Sequence, residues 1–260
     1  MILPIRRLVI YFGKKSIGYV HSTGRWTLFC LDSLQGIISL SLSKRQFLEQ
    51  MENIGFRSAL VIILASLSTG IMFGIQFGEL LRLYRAESFL GAATMVALSK
   101  EIAPVLGAFI VVGRSGSSMA AEIANMRVNQ EIEAMQVMNV DPIAYLVSPR
   151  ILAATLMVPL LFLIFLIVGF GAAYIVGLLF FHVDSGIFLA QIPWLTEPID
   201  VFRGLLKAAV FGTILATVGC YKGYYAIKSA RGVAIATTSA VVTSILAILI
   251  TDFVISYIHM

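Results

Sequence analysis

The chain has 260 residues, of which 59% are hydrophobic and only 13% are charged, and its net charge is +5. Because a soluble domain carries about 25% charged residues, this composition excludes an ordinary soluble protein and indicates an integral membrane protein. The basic residues flank apolar segments and form no stripe with aromatic residues between them, so the positive charge predicts membrane topology and no nucleic-acid partner.

Residues 1 to about 30 are predicted to form an amphipathic helix that lies on the membrane surface. Its basic face consists of Arg6, Arg7, Lys14 and Lys15. Most of the apolar residues fall on the opposite face, which suits a helix bound to an anionic leaflet. A frayed cytoplasmic terminus is the alternative. A polar connector from Ser43 to Asn53 is expected to follow, so residues 1–55 are separated from a membrane domain at residues 56–260.

Five apolar segments are predicted to cross the membrane as α-helices. In chain order they cover about residues 56–81, 88–125, 151–181, 202–221 and 233–257. Lys and Arg are concentrated before the first span and in the loops after the second and fourth, whereas residues 182–201 contain neither. This bias predicts that the N-terminus and the loops beginning at Arg127 and Lys222 are cytoplasmic, and that the C-terminus lies outside.

Small residues recur at helical spacing in the first two spans. The first span has glycines every four residues, at Gly70, Gly74 and Gly78. Such spacing lets another backbone approach closely, although these glycines could equally be tolerated without that role. The second span has two small-residue faces, one at Gly113, Ser117 and Ala121 and one at Gly116, Ala120 and Ala124. Close helix packing explains them better than a phosphate loop, because the required Gly-Lys-Ser/Thr ending is missing.

Charged residues inside apolar spans are costly and are functional-site hypotheses by default. Lys100 and Glu101 lie in the second span, close to Pro104. Neighbours on a helix point about 100° apart, so the two side chains need other partners. They either form a polar spot in an apolar cavity or pair with another span. Asp252 in the last span is more typical of a structural hydrogen-bonding group than of a proton carrier.

The fourth span is unusual because it contains two basic residues near its start, Arg203 and Lys207. The three histidines are scattered, and the two cysteines match no metal or redox spacing. The sequence therefore predicts no catalytic site and no metal site. We find no nucleotide-binding loop, so any ATP would be hydrolysed by another subunit.

The loop after the second span contains a short amphipathic helix at residues 129–139. This helix places Glu131, Met135 and Met138 on one face, and Asp141-Pro142 ends it. Methionine side chains adapt to varied surfaces, which favours a protein interface.

At this point the sequence closely resembles the MlaE/YrbE permease family over about residues 45–260. The resemblance is carried by Lys100-Glu101-Ile102-Ala103-Pro104, Gly113-Arg114-Ser115-Gly116-Ser117, Ala121-Glu122-Ile123, Met126-Arg127-Val128, Gln130 to Met135, Val137-Met138, Val140-Asp141-Pro142, Tyr145 to Arg150, Gly232-Val233, Ala236-Thr237-Thr238 and Asp252-Phe253. Three positions depart from the family pattern, with Lys100 for Arg, Ile102 for Leu and Ala234 for Gly. Lys100 keeps the positive charge but loses the bidentate fork of arginine.

The resemblance implies an all-α permease subunit that is not itself an enzyme, with a surface helix, five spans and a cytoplasmic coupling helix between spans 2 and 3. It implies a homodimer that works with two cytoplasmic ABC ATPases, a periplasmic ring of MCE-domain proteins and, in some systems, a STAS-domain protein. ATP and Mg would bind to the ATPase partner and no cofactor to this chain. Such a transporter moves phospholipid between the inner and outer membranes of a Gram-negative bacterium and so maintains lipid asymmetry.

The family also implies roles for individual residues. The lipid would lie at the dimer interface, in a pocket lined by Leu80, Leu81, Tyr84, Lys100 and Glu101. The coupling helix would contact the ATPase through Gln130, Glu131, Glu133, Ala134, Met135, Met138 and Asp141.

Three alternatives stay open at this stage. The first is an ion- or proton-coupled carrier that uses Lys100, Glu101 and Asp252. The second is an intramembrane lipid-modifying enzyme with acid–base chemistry at Glu101. The third is an importer of sterols or other hydrophobic substrates in place of phospholipid.

Overall fold

The computed structural model describes residues 24–37 and 44–259, and within these ranges every regular element is helical. The elements are α1 (24–37), α2 (Lys44–Leu83), α3 (Glu87–Val128), α4 (Glu131–Val137), α5 (Ile143–Phe180), α6 (Ser185–Ala190), α7 (Ile192–Leu195), α8 (Pro198–Tyr224) and α9 (Ala230–His259). The helices α2, α3, α5, α8 and α9 are long and apolar enough to cross a membrane. This confirms the prediction of an all-α integral membrane protein with five spans.

The predicted connector at residues 43–53 is wrong, because the chain is helical from Lys44 and runs without a break into the first span. Its residues are mostly strong helix formers, and Arg45 pairs with Glu49 one turn later at 3.1 Å. A polar segment is therefore not evidence for a break in the helix here. The basic face predicted for the N-terminal helix lies outside the described residues. The described part, α1, inserts the buried Phe29 against the aromatic rings of Tyr221 and Tyr224 on α8.

Four helical segments have the wider turns of a π-helix, and two of these lie in α3. The four segments are Glu52–Phe56, Leu98–Ile102, Val112–Gly116 and Ile143–Val147. Single π-helical turns inside α-helices occur frequently at functional sites. The segment Leu98–Ile102 contains Lys100 and Glu101, so the predicted charged pair lies on irregular backbone.

The glycines of α2 bring it into close contact with α5. A Cβ atom at Gly70 would overlap the carbonyl oxygen of Gly169, and one at Gly78 would overlap the ring of Phe181. The prediction of close backbone approach is confirmed at Gly70 and at Gly74, where an added Cβ would lie 3.2 Å from the Ala173 Cα, whereas the close neighbour at Gly78 is a side chain.

Only one of the two small-residue faces predicted on α3 packs closely. Gly116 and Ala120 contact α8, where a Cβ at Gly219 would lie 3.0 Å from the Gly116 oxygen and one at Gly223 would lie 2.7 Å from the Ala120 oxygen. A Cβ at Gly113 would have no atom within 4 Å, so the prediction of close packing is wrong there. At Gly113, the face formed by Gly113, Ser117 and Ala121 is not covered by another helix of the described chain.

The bundle has two ends that differ in their connections. The α4 end carries α4 and the loop between α8 and α9. The α6 end carries α6, α7 and the last turns of α9. At the α6 end the buried Phe188 packs against Tyr174 and Phe170 of α5, which holds α6 across the bundle. The Asp184 side chain accepts the Gly186 and Ile187 amides and so begins α6.

Candidate functional site

Six charged side chains from three spans meet inside the bundle near its α6 end. They are Lys100 and Glu101 of α3, Asp200, Arg203 and Lys207 of α8, and Asp252 of α9. Three cations and three acids give this charged cluster a formal charge of zero. A cavity of about 280 Å³ lies beside it and is bordered by all of these residues except Asp252, together with Gly204 and Ser256.

Lys207 is the most buried cation of the charged cluster, with 6% of its side chain exposed. Its Nζ donates to Glu101 Oε1 at 2.9 Å, to Ser256 Oγ at 2.8 Å and to the backbone oxygen of Lys100 at 3.0 Å. These three bonds use all three ammonium protons. Asp252 Oδ1 lies 3.1 Å from the same nitrogen and makes an ion pair with it, but that oxygen is buried without a hydrogen bond. Lys207 therefore neutralises acids from two other spans.

Local sequence explains how Lys207 reaches α3. Pro104 has no N–H to give to the carbonyl of Lys100, which an α-helix would otherwise bond four residues later. The ammonium of Lys207 donates to that oxygen instead. Gly204 allows the approach, because any side chain there would overlap the carbonyl oxygen of Ser99. Proline on one helix and glycine on the other thus place the lysine.

Lys100 and Arg203 share the buried carboxylate of Asp200. Lys100 Nζ lies 3.2 Å from Asp200 Oδ2, and an Arg203 nitrogen lies 3.6 Å from Oδ1. Asp200 Oδ2 also accepts the Glu197 amide at 3.2 Å, which places the acid in the first turn of α8. An acid at a helix N-terminus is favoured by the helix dipole. The negative charge of Asp200 is therefore stabilised by two cations and a backbone amide.

Two interpretations were open for Lys100 and Glu101, a polar spot in a cavity and an ion pair with another span, and the structure shows both. Each side chain pairs with another span, yet 43% of the Lys100 side chain and 49% of the Glu101 side chain remain exposed toward the cavity. The fully buried charges lie behind them. The arrangement thus presents a cation and an acid side by side to any molecule that enters the cavity.

The other residues predicted to line a lipid pocket lie apart from this cavity. Leu80 and Tyr84 are exposed at the end of α2, and Leu81 packs beside the small cluster of Leu90 and Phe188. Within one described chain these three side chains do not border the cavity of Lys100. A pocket that joins both sets would need a second copy of the chain, and the prediction remains a prediction.

The helix α4 is fixed to the α4 end of the bundle by several contacts. Ile132 is buried, and Glu133 pairs with Lys228 at 2.8 Å and with Arg127 at 4.0 Å. The hydrogen bond from Lys228 lowers the pKa of Glu133 below its usual range. The Asp141 side chain accepts the Ile143 amide at 2.9 Å. Glu133 and Asp141, predicted as coupling residues, thus also hold the structure together.

The outward face of α4 differs in part from the predicted one. Glu131, Ala134 and Met138 are exposed as expected, and Gln130 begins the helix with a left-handed backbone. Met135 is instead half-buried against the core. Val137, with 88% exposure, replaces it on the outside. The signal for Val137 was available, because it lies about 140° around the helix from the buried Ile132.

Sequence reasoning did not assign Asp200, Arg203, Lys207 or Ser256 to the site. The charge count could have indicated Arg203 and Lys207, since these two bases of the fourth span match acids in the second and fifth, whereas it holds no signal for Ser256. Within the part of the chain that the structure describes, no group of His, Cys, Asp and Glu residues has the spacing to hold a metal ion.

Comparison with known proteins agrees with this architecture. The family described as Permease MlaE matches residues 47–258. A probable ABC transporter permease protein of Rickettsia prowazekii is 39% identical over 256 residues, which cover 98% of each chain. The intermembrane phospholipid transport system permease protein MlaE of Haemophilus influenzae is 29% identical over 94% of each chain. The chloroplastic protein TRIGALACTOSYLDIACYLGLYCEROL 1 of Arabidopsis thaliana is 35% identical over 82% of this chain and 61% of its own. The chain therefore belongs to the MlaE permease family.

Proposed function

We propose that this chain is the membrane-spanning subunit of an ATP-driven transporter that moves phospholipid between two membranes. The observation that carries the proposal is the charged cluster, which opens onto a cavity inside an otherwise apolar bundle. A phospholipid has a charged head group and apolar chains, so it matches a polar spot within apolar walls. The name of the Haemophilus influenzae relative, which states intermembrane phospholipid transport, supports the same substrate class.

The head group would contact the exposed part of the charged cluster. Lys100 has one described ion-pair partner, Asp200, so further ammonium protons can face a lipid phosphate in the cavity. The acyl chains would lie on apolar side chains of two copies of the chain, with Leu80, Leu81 and Tyr84 contributed at the dimer interface. The exposed apolar side chains at the end of α2, among them Leu80 and Leu83, are consistent with such a face.

The partner ATPase would act on the membrane subunit through α4. Its exposed face consists of Glu131, Ala134, Val137 and Met138, which offers an apolar centre beside an acid. Its inner side is fixed to α8 and to the following loop through Ile132, Gln136 and Glu133. Movement of a soluble ATPase against this helix would therefore be transmitted to α8, the helix that carries Asp200, Arg203 and Lys207.

The proposed setting is the inner membrane of a Gram-negative bacterium, with two ATPases on the cytoplasmic side and an MCE-domain ring in the periplasm. The α4 end carries the basic residues Arg127, Lys222, Lys228 and Arg231, which favours the cytoplasm for this end. The C-terminus would then lie in the periplasm. ATP and Mg would be bound by the partner ATPase.

The coupling step can be tested by placing a charge on the exposed centre of α4. We expect Val137→Asp to abolish ATP-stimulated transfer of labelled phospholipid between liposomes, while lipid still co-purifies with the complex. The matched control is Ile227→Asp, another exposed apolar residue at the same end, and we expect it to retain transfer. Equal transfer by the two variants would contradict the role of α4. Met135 is unsuitable for this test because it packs against the core.

The same preparation separates the proposal from its alternatives. Relatives named as ABC transporter permeases cover nearly the whole chain, which favours ATP-driven transport over an ion-coupled carrier or a lipid-modifying enzyme. Mass spectrometry of the co-purified lipid distinguishes phospholipid from sterol or another hydrophobic substrate. Recovery of no phospholipid from the wild-type complex would refute the proposed substrate.

A further inference from the structure

A second polar cavity lies between α2 and α3 at the α4 end of the bundle. Its volume is about 260 Å³, and its polar lining includes Gln50, Asn53, Arg57, Arg114, Ser118 and Glu122. Each wall contains a π-helical turn, Glu52–Phe56 on α2 and Val112–Gly116 on α3. These wider turns shape the backbone on both sides of the cavity. The resemblance to the permease family assigned no role to this place.

The cavity is separate from the charged cluster at the α6 end. Arg114 follows Lys100 by fourteen residues on the same helix, which corresponds to about 21 Å along the axis. The two cavities share no lining residue. The two cavities therefore lie at different heights along the bundle axis.

The side chains around this second cavity include more basic than acidic residues. Arg57 and Arg114 line it, and the buried Arg150 stands behind Glu122. Glu122 is already satisfied, because it accepts Arg150 Nη2 at 3.1 Å and Ser118 Oγ at 2.9 Å. With Glu52, which lies 4.0 Å from Arg57, three bases stand against two acids. The remaining positive charge favours an anion.

Hydrogen-bond donors remain for such an anion. The Nη1 group of Arg114 donates to the Asn53 carbonyl at 3.0 Å and to Ser58 Oγ at 2.9 Å, which fixes the guanidinium plane. Its Nε and Nη2 groups have no partner among the described residues, although arginine carries five N–H donors. Arg57 has 59% of its side chain exposed, and among the described residues its one ion-pair contact is the long one with Glu52. Two guanidinium groups, one of them held in place, suit the oxygens of a phosphate.

The surface next to the cavity indicates where an apolar part of the ligand would lie. Val61, Leu64 and Ile71 are exposed and follow Arg57 on the same face of α2 within about 40°. On α3, Gly107 lies about 20° around the helix from Arg114, and an added Cβ there would meet no atom within 4 Å, so this wall has open space beside it. The cavity is smaller than the roughly 300–1,000 Å³ of whole-ligand pockets, which leaves room for a head group and not for acyl chains.

We propose that the cavity between Arg57 and Arg114 binds the phosphate of an anionic phospholipid, whose acyl chains lie along the exposed face of α2. Free inorganic phosphate shares the chemistry of the head group and is the other source of the anion. The lipid is favoured because the apolar stripe continues directly from the cavity. The inference does not rest on the proposed transport, since it concerns binding alone.

The test compares two arginine variants of the full chain in nanodiscs. Arg57→Gln removes a charge that lines the cavity, and Arg45→Gln removes an 89% exposed charge three turns earlier on the same helix that does not line it. Native mass spectrometry then measures phosphatidylglycerol retained from discs of phosphatidylcholine that contain phosphatidylglycerol as the minor lipid. We expect Arg57→Gln to weaken retention about tenfold, as for the loss of one charge-assisted hydrogen bond, and Arg45→Gln to leave it unchanged. Arg57→Lys should restore part of the retention.

A second measurement identifies the source of the anion. Inorganic phosphate is titrated into the protein in an uncharged detergent by calorimetry. Phosphate binding that Arg57→Gln removes, without any effect on lipid retention, would support the site but assign it to free phosphate. Equal lipid retention by Arg57→Gln and Arg45→Gln, together with no phosphate binding, would overturn the proposal. A changed mass of the protein assembly in Arg57→Gln, with unchanged lipid, would overturn it as well, because the face would then contact a second copy.

Discussion

Replacing Lys207 with methionine tests whether the charged cluster holds the bundle together. Methionine has a similar length and keeps the packing of the side chain, but it removes a charge that contacts Glu101, Asp252, Ser256 and the Lys100 carbonyl. The acids of two other spans would then lose their common partner. We expect the variant to fold less stably and not merely to transport less.

The magnitude follows from the burial of each partner. Removing one member of a buried ion pair costs about 3–5 kcal/mol, because the other charge is left without compensation. Glu101 is half exposed and can be hydrated through the cavity, whereas Asp252 has only 17% of its side chain exposed. Most of the cost therefore comes from Asp252. We expect the free energy of unfolding to fall by about 3 kcal/mol, the lower end of this range.

Denaturant titration in lipid–detergent micelles, followed by tryptophan fluorescence, measures this free energy. The matched control is Lys100→Met, which should cost at most about 1 kcal/mol, since its side chain is 43% exposed and Asp200 keeps Arg203 and a backbone amide. Adding Asp252→Asn to the Lys207 variant should restore stability, with a coupling energy of about 0.5–3 kcal/mol. Equal losses for the two lysine variants, or no recovery in the double variant, would refute the reasoning.

Three further predictions concern packing, pH and thiol access. Gly70→Ala should cost about 1–3 kcal/mol of unfolding free energy because its Cβ would overlap α5, whereas Gly171→Ala, which has open space, should cost nothing measurable in the same titration. The pKa of Glu133 lies below the value of about 4.3 for an unfolded chain, so the bond from Lys228 stabilises α4 fully above that pH and is lost as the pH falls through the folded pKa. Hydrogen exchange of α4 across this range should show that loss, and Lys228→Gln should move the onset to higher pH. In a Cys30→Ser background, Cys220, which is fully buried, should resist maleimide until the protein is unfolded, and labelling of this variant in its folded state would contradict the placement of Cys220.

The fold could be predicted from the sequence to the extent that it depends on single helices. Apolar length gave the five spans, and glycine spacing identified the face of α2 that meets α5 at Gly70 and Gly78. The start of α2 differs from the predicted connector because the polar segment Lys44–Met51 contains no helix breaker. Polarity indicates exposure to water, and it does not by itself indicate an end of helix.

The candidate site was predictable only in part for a different reason. Lys100 and Glu101 stand out in an apolar helix whatever surrounds them, so the sequence alone identifies them. Their partners, Asp200 and Lys207, lie about a hundred residues later in the chain, and Lys207 pairs in turn with Asp252. Which of these charges meet depends on the register of three helices, and helical periodicity holds no information about register between helices. Met135 and Val137 are a different case, because both lie on one helix: Met135 is about 60° and Val137 about 140° around α4 from Ile132, so periodicity alone favours Val137 on the outer face.

Three residues that look unfavourable one at a time are compatible only together. Proline inside a helix leaves a carbonyl without its donor, glycine lowers helix propensity, and lysine in hydrocarbon is costly. Here the Lys100 carbonyl, which Pro104 leaves without a donor, accepts a hydrogen bond from Lys207, and Gly204 allows the close approach that this bond needs. Lys207 thus supplies the donor that Pro104 lacks, while Glu101 and Asp252 compensate its charge, so a substitution at Pro104, Gly204 or Lys207 acts on the other two. A hydropathy scale that scores each residue separately therefore overestimates the free-energy cost of burying Lys207. For the same reason, such a scale underestimates the stability that is lost when Gly204 acquires a side chain.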